Sequence, residues 1–352
     1  LNTIYFYLTE GCNLACRHCW IAPKLETEKK KYTSLSVEQF QSIIRQGKEI
    51  GLTSVKLTGG EPFIHPHIFE LLDIVKKEEL TLTIETNGVE CTTDICKKIV
   101  ECKRPFVSVS LDGAKKETHE WVRGINGCFD KSVIGIKNLV EAGLKPQIIM
   151  TIMKHNENEI KDIVRLAESL NAGSVKFNLF QPTERGEKMH ESGEALPVER
   201  LIELGKWVEN ELSKTTKIKL HYSHPMAFKP LSKMFGNNGT GCGVCGIFGI
   251  LGVLADGSYA LCGIGESIDD FVFGHCDEDK LKNVWENNKI LNEIRNGLPK
   301  DLKGICQECL MKNRCLGSCI AQNYYRSNDL FAQFWFCEEA KKAGLFPESR
   351  IG

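Results

Sequence analysis

The stretch EGCNLACRHCW, Glu10 to Trp20, sets Cys12, Cys16 and Cys19 in a C-x3-C-x2-C spacing. Three thiols this close cannot all be consumed as disulfides among themselves. They can close around a small inorganic centre, but a structural zinc site takes four ligands. Three thiolates with one open position suit a reactive metal. A zinc site completed by His18 or a more distant residue is the alternative.

The chain before and after this stretch gives it a context. It follows an apolar run, IYFYLT (4–9), which is the first of six. SVKLT (54–58), LTLTIET (80–86), FVSVSL (106–111), QIIMTIM (147–153) and SVKFNLF (174–180) are the others. Helical patterns lie between them. Ser36 and Gln39 form a capping box ahead of Phe40, Ile43, Ile44 and Ile50, with Gly51 as the stop. Apolar stripes follow at Ile68, Leu71, Leu72 and Val75, at Ile95 and Ile99, at Val133, Ile136 and Val140, and at Ile160, Ile163, Val164 and Ala167. Strand–helix alternation predicts a parallel sheet with right-handed crossovers. Six units are too few for a closed eight-fold barrel, which leaves an open doubly wound sheet or a partial barrel. In both, chemistry gathers at the C-terminal ends of the strands, and each polar motif here directly follows a strand.

After Pro182 the pattern changes. One more helix, through Leu201, Ile202, Leu204 and Val208, precedes a strand in KIKLHY. From about residue 236 the chain is rich in glycine and cysteine, as expected of a smaller module held by metal. The expected division is 1–215 and 216–352.

The bulk numbers narrow the function classes. A formal charge of −1 over 352 residues gives no basic footprint for nucleic acid. No run of 18 apolar residues suggests a membrane span, and the first residues lack the features of a signal peptide. The expectation is a cytoplasmic protein. The 16 cysteines then read as metal ligands rather than disulfides. Three lie in the first motif, eight form a pattern between 242 and 337, and five are scattered.

That first motif, closed by the aromatic Trp20, resembles the radical S-adenosylmethionine (SAM) superfamily. The resemblance implies that Cys12, Cys16 and Cys19 hold three irons of a [4Fe–4S] cluster while SAM chelates the fourth. Reductive cleavage of SAM then yields a 5′-deoxyadenosyl radical that abstracts a substrate hydrogen. His18 departs from the hydrophobic residue usual before the third cysteine. TGGEP, Thr58 to Pro62, matches the family's GGE motif, implying that Gly59, Gly60, Glu61 and Pro62 meet SAM, with Glu61 accepting from its ammonium. ETNG, with Glu85 and Asn87, and SLDG, with Ser110 and Asp112, resemble the third- and fourth-strand motifs. Arg123 is implied as a carboxylate partner, and Asn178 and Leu179 as the adenine side.

CQECLMKNRCLGSC, Cys306 to Cys319, reads C-x2-C-x5-C-x3-C, with Cys242, Cys245 and Cys262 upstream and Cys337 downstream. Taken alone, this could be a pair of zinc ribbons. Its order resembles the SPASM extension of radical SAM enzymes, which implies two auxiliary [4Fe–4S] clusters. Cys242, Cys245, Cys262 and Cys319 would hold one; Cys306, Cys309, Cys315 and Cys337 would hold the other. The resemblance therefore implies an α/β fold, a partial (β/α)6 TIM barrel with a C-terminal SPASM module, three clusters and SAM.

SPASM enzymes mostly modify peptides, and the tail from CLGSC to FPESR looks like the peptide-maturase group. The leading expectation is a thioether or carbon–carbon cross-link in a ribosomally made peptide. Epimerisation, formylglycine formation on a sulfatase, and decarboxylation of a haem precursor are the alternatives. The last would favour an arginine-lined apolar pocket, which the sequence does not reveal. A non-enzymatic iron–sulfur carrier would have no use for the SAM-like motifs. The first motif starts close to residue 1, so no fused N-terminal recognition domain is expected. Leader binding would then use the barrel, the SPASM module or a separate peptide-recognition protein. A flavodoxin or ferredoxin would supply electrons. Of the scattered thiols, Cys102 reads as core, Cys91 and Cys96 lie near a helix start, and Cys128 and Cys276 are the candidates for a hydrogen-atom donor.

Overall fold

The computed structural model describes residues 1–25, 32–235 and 245–352. Strand β1 (Thr3–Tyr7) opens the chain with Ile4 and Phe6 fully buried on one face and Tyr5 half-buried on the other. Helix α1 (Val37–Glu49) follows, with the Ser36–Gln39 capping box formed in both directions and Gly51 at φ +100° beyond its end. Then come β2 (Ser54–Thr58), α2 (Ile68–Lys77), β3 (Thr81–Thr86), α3 (Thr93–Val100) and β4 (Lys103–Ser110).

Two helices precede the next strand: α4 (Lys116–Arg123) and α5 (Cys128–Glu141). The apolar pattern predicted only the second. Helix α4 has no side-chain N-cap and a mostly charged sequence, KETHEWVR, so it carries little periodic signal. The α5 stripe is also shifted: Ser132, Gly135, Ile136 and Leu139 are buried, whereas Val133 is half-buried. Gly135 explains the shift. A Cβ there would meet the Gly88 carbonyl oxygen at 2.0 Å, so α5 presses directly on the loop after β3.

The series continues through β5 (Gln147–Ile152), α6 (Ile160–Ser169), β6 (Ser174–Leu179), α7 (Arg185–Glu191), α8 (Val198–Asn210) and β7 (Lys219–Tyr222). β8 (Ile250–Val253), β9 (Ser258–Ala260) and β10 (Val272–His275) then return to the other edge. The ten-stranded sheet runs β10-β9-β8-β1-β2-β3-β4-β5-β6-β7. All pairings from β8 across to β7 are parallel, and β9 and β10 pair antiparallel. The fold is α/β, a partial barrel continued by the cysteine-rich region.

The main core lies between the sheet's convex face and the helices. Val55 and Leu57, Leu82 and Ile84, Val107 and Val109, Ile148 and Met150, and Val175 and Phe177 project into it. Alternation then sends the intervening residues into the barrel lumen. In register these include Tyr5 beside Lys56, Lys56 beside Thr83, and Ile149 beside Lys176, which in turn lies beside His221.

The cysteine-rich region is seated on β1 by glycines. A Cβ on Gly252 would lie 2.9 Å from the Cys262 Cα, and one on Gly263 would lie 2.3 Å from the Tyr7 ring. These close approaches bring Cys262 to the lumen edge next to Tyr5. No helix among the described residues is long and apolar enough to cross a membrane.

Candidate functional site

Beyond β1 the chain folds back on itself, with Gly11 and Cys12 pairing with Lys24 and Leu25. The loop after β2 holds it from below. The Gly60 N–H donates to the Thr9 carbonyl and the Glu61 N–H to the Gly11 carbonyl, both at 2.9 Å. A Cβ on Gly60 would sit 1.8 Å from that Gly11 oxygen, so only glycine permits the contact. The backbone these glycines admit is that of the cysteine loop itself.

Cys12 and Cys16 are buried and Cys19 half-buried, and all three face one cavity of about 200 Å³. Burial pushes the Cys12 thiol well up and the Cys19 thiol up to about 11, with the neighbouring thiols adding to both. Thiols so placed ionise only when a cation replaces the proton. This donor set fits a metal centre.

Trp20, Gly59, Gly60 and Glu61 line the same cavity, as do Glu85, Asn87, Ser110 and Arg123. Asn178 and Leu179 close its far side. Pro62 and Asp112 lie behind the wall: Pro62 is buried at the start of a short 3-10 turn, and Asp112 is fully buried beneath Arg123.

Glu61 is held by three donors. Thr86 Oγ1 donates to Oε1 at 2.7 Å, the Phe63 N–H to the same oxygen at 3.2 Å, and the Asn87 N–H to Oε2 at 2.8 Å. A carboxylate has about four acceptor positions, so about one remains for a ligand. Burial outweighs these bonds and raises the Glu61 acid to about 7. A cation in the cavity would restore the charge. Thr86 was not foreseen as part of this arrangement, although it belongs to the ETNG stretch.

A second buried network steadies Arg123. Its Nη2 pairs with Asp112 Oδ2 at 2.7 Å and its Nη1 donates to Cys16 Sγ at 3.5 Å. The Thr151 N–H donates to Asp112 Oδ1 at 2.8 Å, and His18 Nε2 lies 3.6 Å from Oδ2. Burial works to raise Asp112, but Arg123, His18 and the Thr151 N–H together hold it below its ordinary value. Burial lowers His18 to about 4, which leaves it neutral. Arg185 also reaches the first motif, its Nη1 donating to the Cys16 carbonyl at 3.3 Å.

The later cysteines fall into two groups. Cys306, Cys309, Cys315 and Cys337 line one small apolar cavity with Leu302, Ile305 and Phe346. Burial raises each of these thiols, Cys337 most markedly, and the other three add to that shift. Cys245, Cys262 and Cys319 form the other group, as electrostatic neighbours. Burial raises Cys245 and Cys262 to about 12. Cys242 lies outside the described residues. Each group offers a donor set that could hold a cluster.

The scattered thiols are elsewhere. Cys102 Sγ donates to the Leu72 carbonyl and Cys96 Sγ to the Cys91 carbonyl, all within the core. The two hydrogen-donor candidates lie apart from the residues that line the cavity. Cys128 packs behind Cys12 and Cys16, with burial raising it to about 11, and does not line the cavity. Cys276 sits past the end of β10 beside Asp277, at the sheet's outer edge.

The sequence reading also missed Lys56 and Lys176. Both occupy the third place of an SVK triplet and both project into the lumen between apolar outward neighbours. A charged residue at an inward position of a barrel strand was the available signal.

Comparison with known proteins agrees with this geometry. The sequence profile of the radical SAM superfamily matches residues 6–167, and that of the SPASM iron–sulfur cluster-binding domain matches residues 242–310. An AdoMet-dependent heme synthase of Methanosarcina barkeri is 31% identical over 349 residues, covering 95% of both chains. The mycofactocin maturase MftC of Mycobacterium tuberculosis is 27% identical over 328 residues, covering 90% of this chain and 78% of the relative. The solved structure of anSMEcpe with bound AdoMet superposes with a TM-score of 0.73 at 17% identity, covering 97% of this chain and 95% of that one. The chain belongs to the radical SAM superfamily and is a radical SAM enzyme with a C-terminal SPASM domain.

Proposed function

We propose that this enzyme modifies a ribosomally synthesised peptide, by forming a thioether or carbon–carbon cross-link, with its SAM-cleaving unit in 1–215 and its auxiliary-cluster unit in 216–352. The observation that carries the SAM-cleaving part is the meeting of Cys12, Cys16, Cys19 and Glu61 on one cavity. When bound, a cluster on these thiolates supplies the electron that splits SAM into methionine and a 5′-deoxyadenosyl radical.

The chain's own residues bind and orient. Glu61 accepts from the SAM ammonium at its remaining position, and Gly59 and Gly60 let the cysteine loop pack close beside it. Arg123, already turned by Asp112, offers its fork to the SAM carboxylate. Trp20, Glu85, Asn87 and Ser110 close on the ribose, and Asn178 and Leu179 on the adenine. Cys242, Cys245, Cys262 and Cys319 hold one auxiliary [4Fe–4S] cluster, and Cys306, Cys309, Cys315 and Cys337 the other, giving three in all. Full thiolate ligation suits these two to passing electrons, with a flavodoxin or ferredoxin as the external reductant.

A peptide substrate is supported by the mycofactocin maturase relative, similar over most of both chains. Leader recognition would fall to the barrel, the SPASM module or a separate protein. A second reading is decarboxylation of a haem-precursor propionate, favoured by the 31% identity to a heme synthase across 95% of both chains. Mass spectrometry separates the two. The reduced, reconstituted enzyme is incubated with SAM and either a short peptide identified from a reading frame beside its gene or a porphyrin carrying propionates. Loss of two hydrogens from the peptide supports the first reading. Loss of carbon dioxide together with two hydrogens from a porphyrin propionate, leaving a vinyl group, with an unchanged peptide replaces it with the second.

A further inference from the structure

One lysine of the barrel lumen has no carboxylate partner among the described residues. Lys56 on β2 bonds Glu85 Oε1 at 2.6 Å and lies 4.4 Å from the Tyr5 ring centre. That pair is closed. Lys176 projects from β6 into the same space, half-buried, and makes no ion pair or hydrogen bond among the described residues. Its charged neighbours are Glu85, which Lys56 already holds, and two further cations, Lys56 and Lys229. Lys229 is anchored from outside, its carbonyl accepting from Arg350 Nη2 at 3.3 Å. His221, next to Lys176 in the sheet register, adds no counter-charge.

An ammonium removed from water without a partner is costly, and folded proteins seldom keep one. Burial lowers the Lys176 pKa accordingly. Nor is Lys176 a counter-ion for the auxiliary thiols among the described residues. Lys56 feels Cys245, whereas no thiol of the described residues is among the groups acting on Lys176. Its place in the strand is informative too. Two residues further along β6, Asn178 lines the cavity above, and two strand residues span about 6–7 Å. A small anionic group held at Lys176 would leave the rest of its molecule extending toward that cavity.

We propose that Lys176, with Lys229 beside it, binds a carboxylate of the substrate within the lumen, so that the enzyme acts on an organic anion. The inference rests on reading the lumen as the substrate site of the radical SAM reaction. Two sources share this chemistry: an acidic side chain of a peptide and a propionate of a porphyrin.

The test is equilibrium binding to the reconstituted holoenzyme in the presence of SAM and without reductant, so that no turnover intervenes. One probe pair is mesoporphyrin IX and its dimethyl ester. The other is a glutamate-containing peptide and its glutamine counterpart. The expected result is that one acid binds and its neutral partner binds at least about tenfold more weakly. Lys176→Gln should weaken the acid by about 10- to 150-fold, the range for a hydrogen bond to a charged group. Lys176→Arg should restore most of it, and Lys161→Gln, at an exposed position of α6, should bind as the parent does. Lys176→Met serves if the glutamine variant fails to fold.

Which acid binds identifies the source. Equal binding of acid and neutral forms, binding of neither acid, or acid binding indifferent to Lys176 overturns the proposal. Release of 5′-deoxyadenosine on reduction is measured separately. Its absence would instead overturn the SAM-cleaving reading, whatever the probes do.

Discussion

Glu61→Gln tests the SAM side of the cavity most sharply. Glu61 is 1% exposed and accepts three hydrogen bonds, at 2.7, 2.8 and 3.2 Å. Glutamine keeps the shape but loses the charge. Its amide also sets NH2 against a backbone N–H in either orientation, that of Asn87 or that of Phe63. A hydrogen bond to a charged group is worth about 1.5–3 kcal/mol, so SAM affinity should fall about 10- to 150-fold. A pH signature accompanies the loss. Burial raises the free acid to about 7, so below that pH an ammonium ligand must displace a proton from Glu61. Wild-type affinity should therefore fall about tenfold per pH unit below 7, while the variant loses this dependence. Equilibrium dialysis of labelled SAM against the anaerobically reconstituted protein, at about pH 7.5 and about pH 5.5, reads both effects. Unchanged affinity in the variant at the higher pH would refute the argument, as would a flat wild-type profile.

Three further predictions concern the frame around the site. Asp112→Asn leaves the buried Arg123 guanidinium without its 2.7 Å partner, so thermal unfolding under anaerobic conditions should occur several degrees lower. The expected cost is about 3–5 kcal/mol, and an unmoved midpoint would contradict it. Gly60→Ala forces a Cβ to within 1.8 Å of the Gly11 oxygen, a backbone atom that cannot swing aside. Reconstituted protein should then hold about four fewer irons, with both auxiliary clusters retained. Cys337→Ser removes one of four thiols around the apolar cavity near Phe346. It should also lose about four irons but keep SAM binding, because the first motif is untouched.

Much of the frame could be read from the residues in order. SVKLT became β2 at the expected bounds, and the Ser36–Gln39 box caps α1 as expected. Both are local signals, one of alternation and one of side-chain-to-backbone bonding. Helix α4 escaped because its charged sequence has no apolar rhythm, yet it carries Arg123 to the cavity. The strands from 250 to 275 are short and interrupted by glycines, and only pairing with β1 identifies them as part of the sheet.

The same division holds at the site. Spacing pointed to Cys12, Cys16 and Cys19, and all three face one cavity. Spacing could not place Asp112 under Arg123 rather than on the cavity wall, since that depends on how β4, β5 and α4 meet. Lys56 and Lys176 sit within ordinary strand sequences, and only barrel curvature turns them toward a common space.

The central claim is that the three thiols of the first motif and Glu61 make a SAM-cleaving centre. Its most direct test is to reduce the anaerobically reconstituted protein with dithionite in the presence of SAM and quantify 5′-deoxyadenosine and methionine. Equimolar release of both is predicted, from protein holding about twelve irons per chain, and Cys16→Ala should abolish it. Protein rich in zinc and poor in iron, or fully loaded protein that leaves SAM intact, would contradict the account.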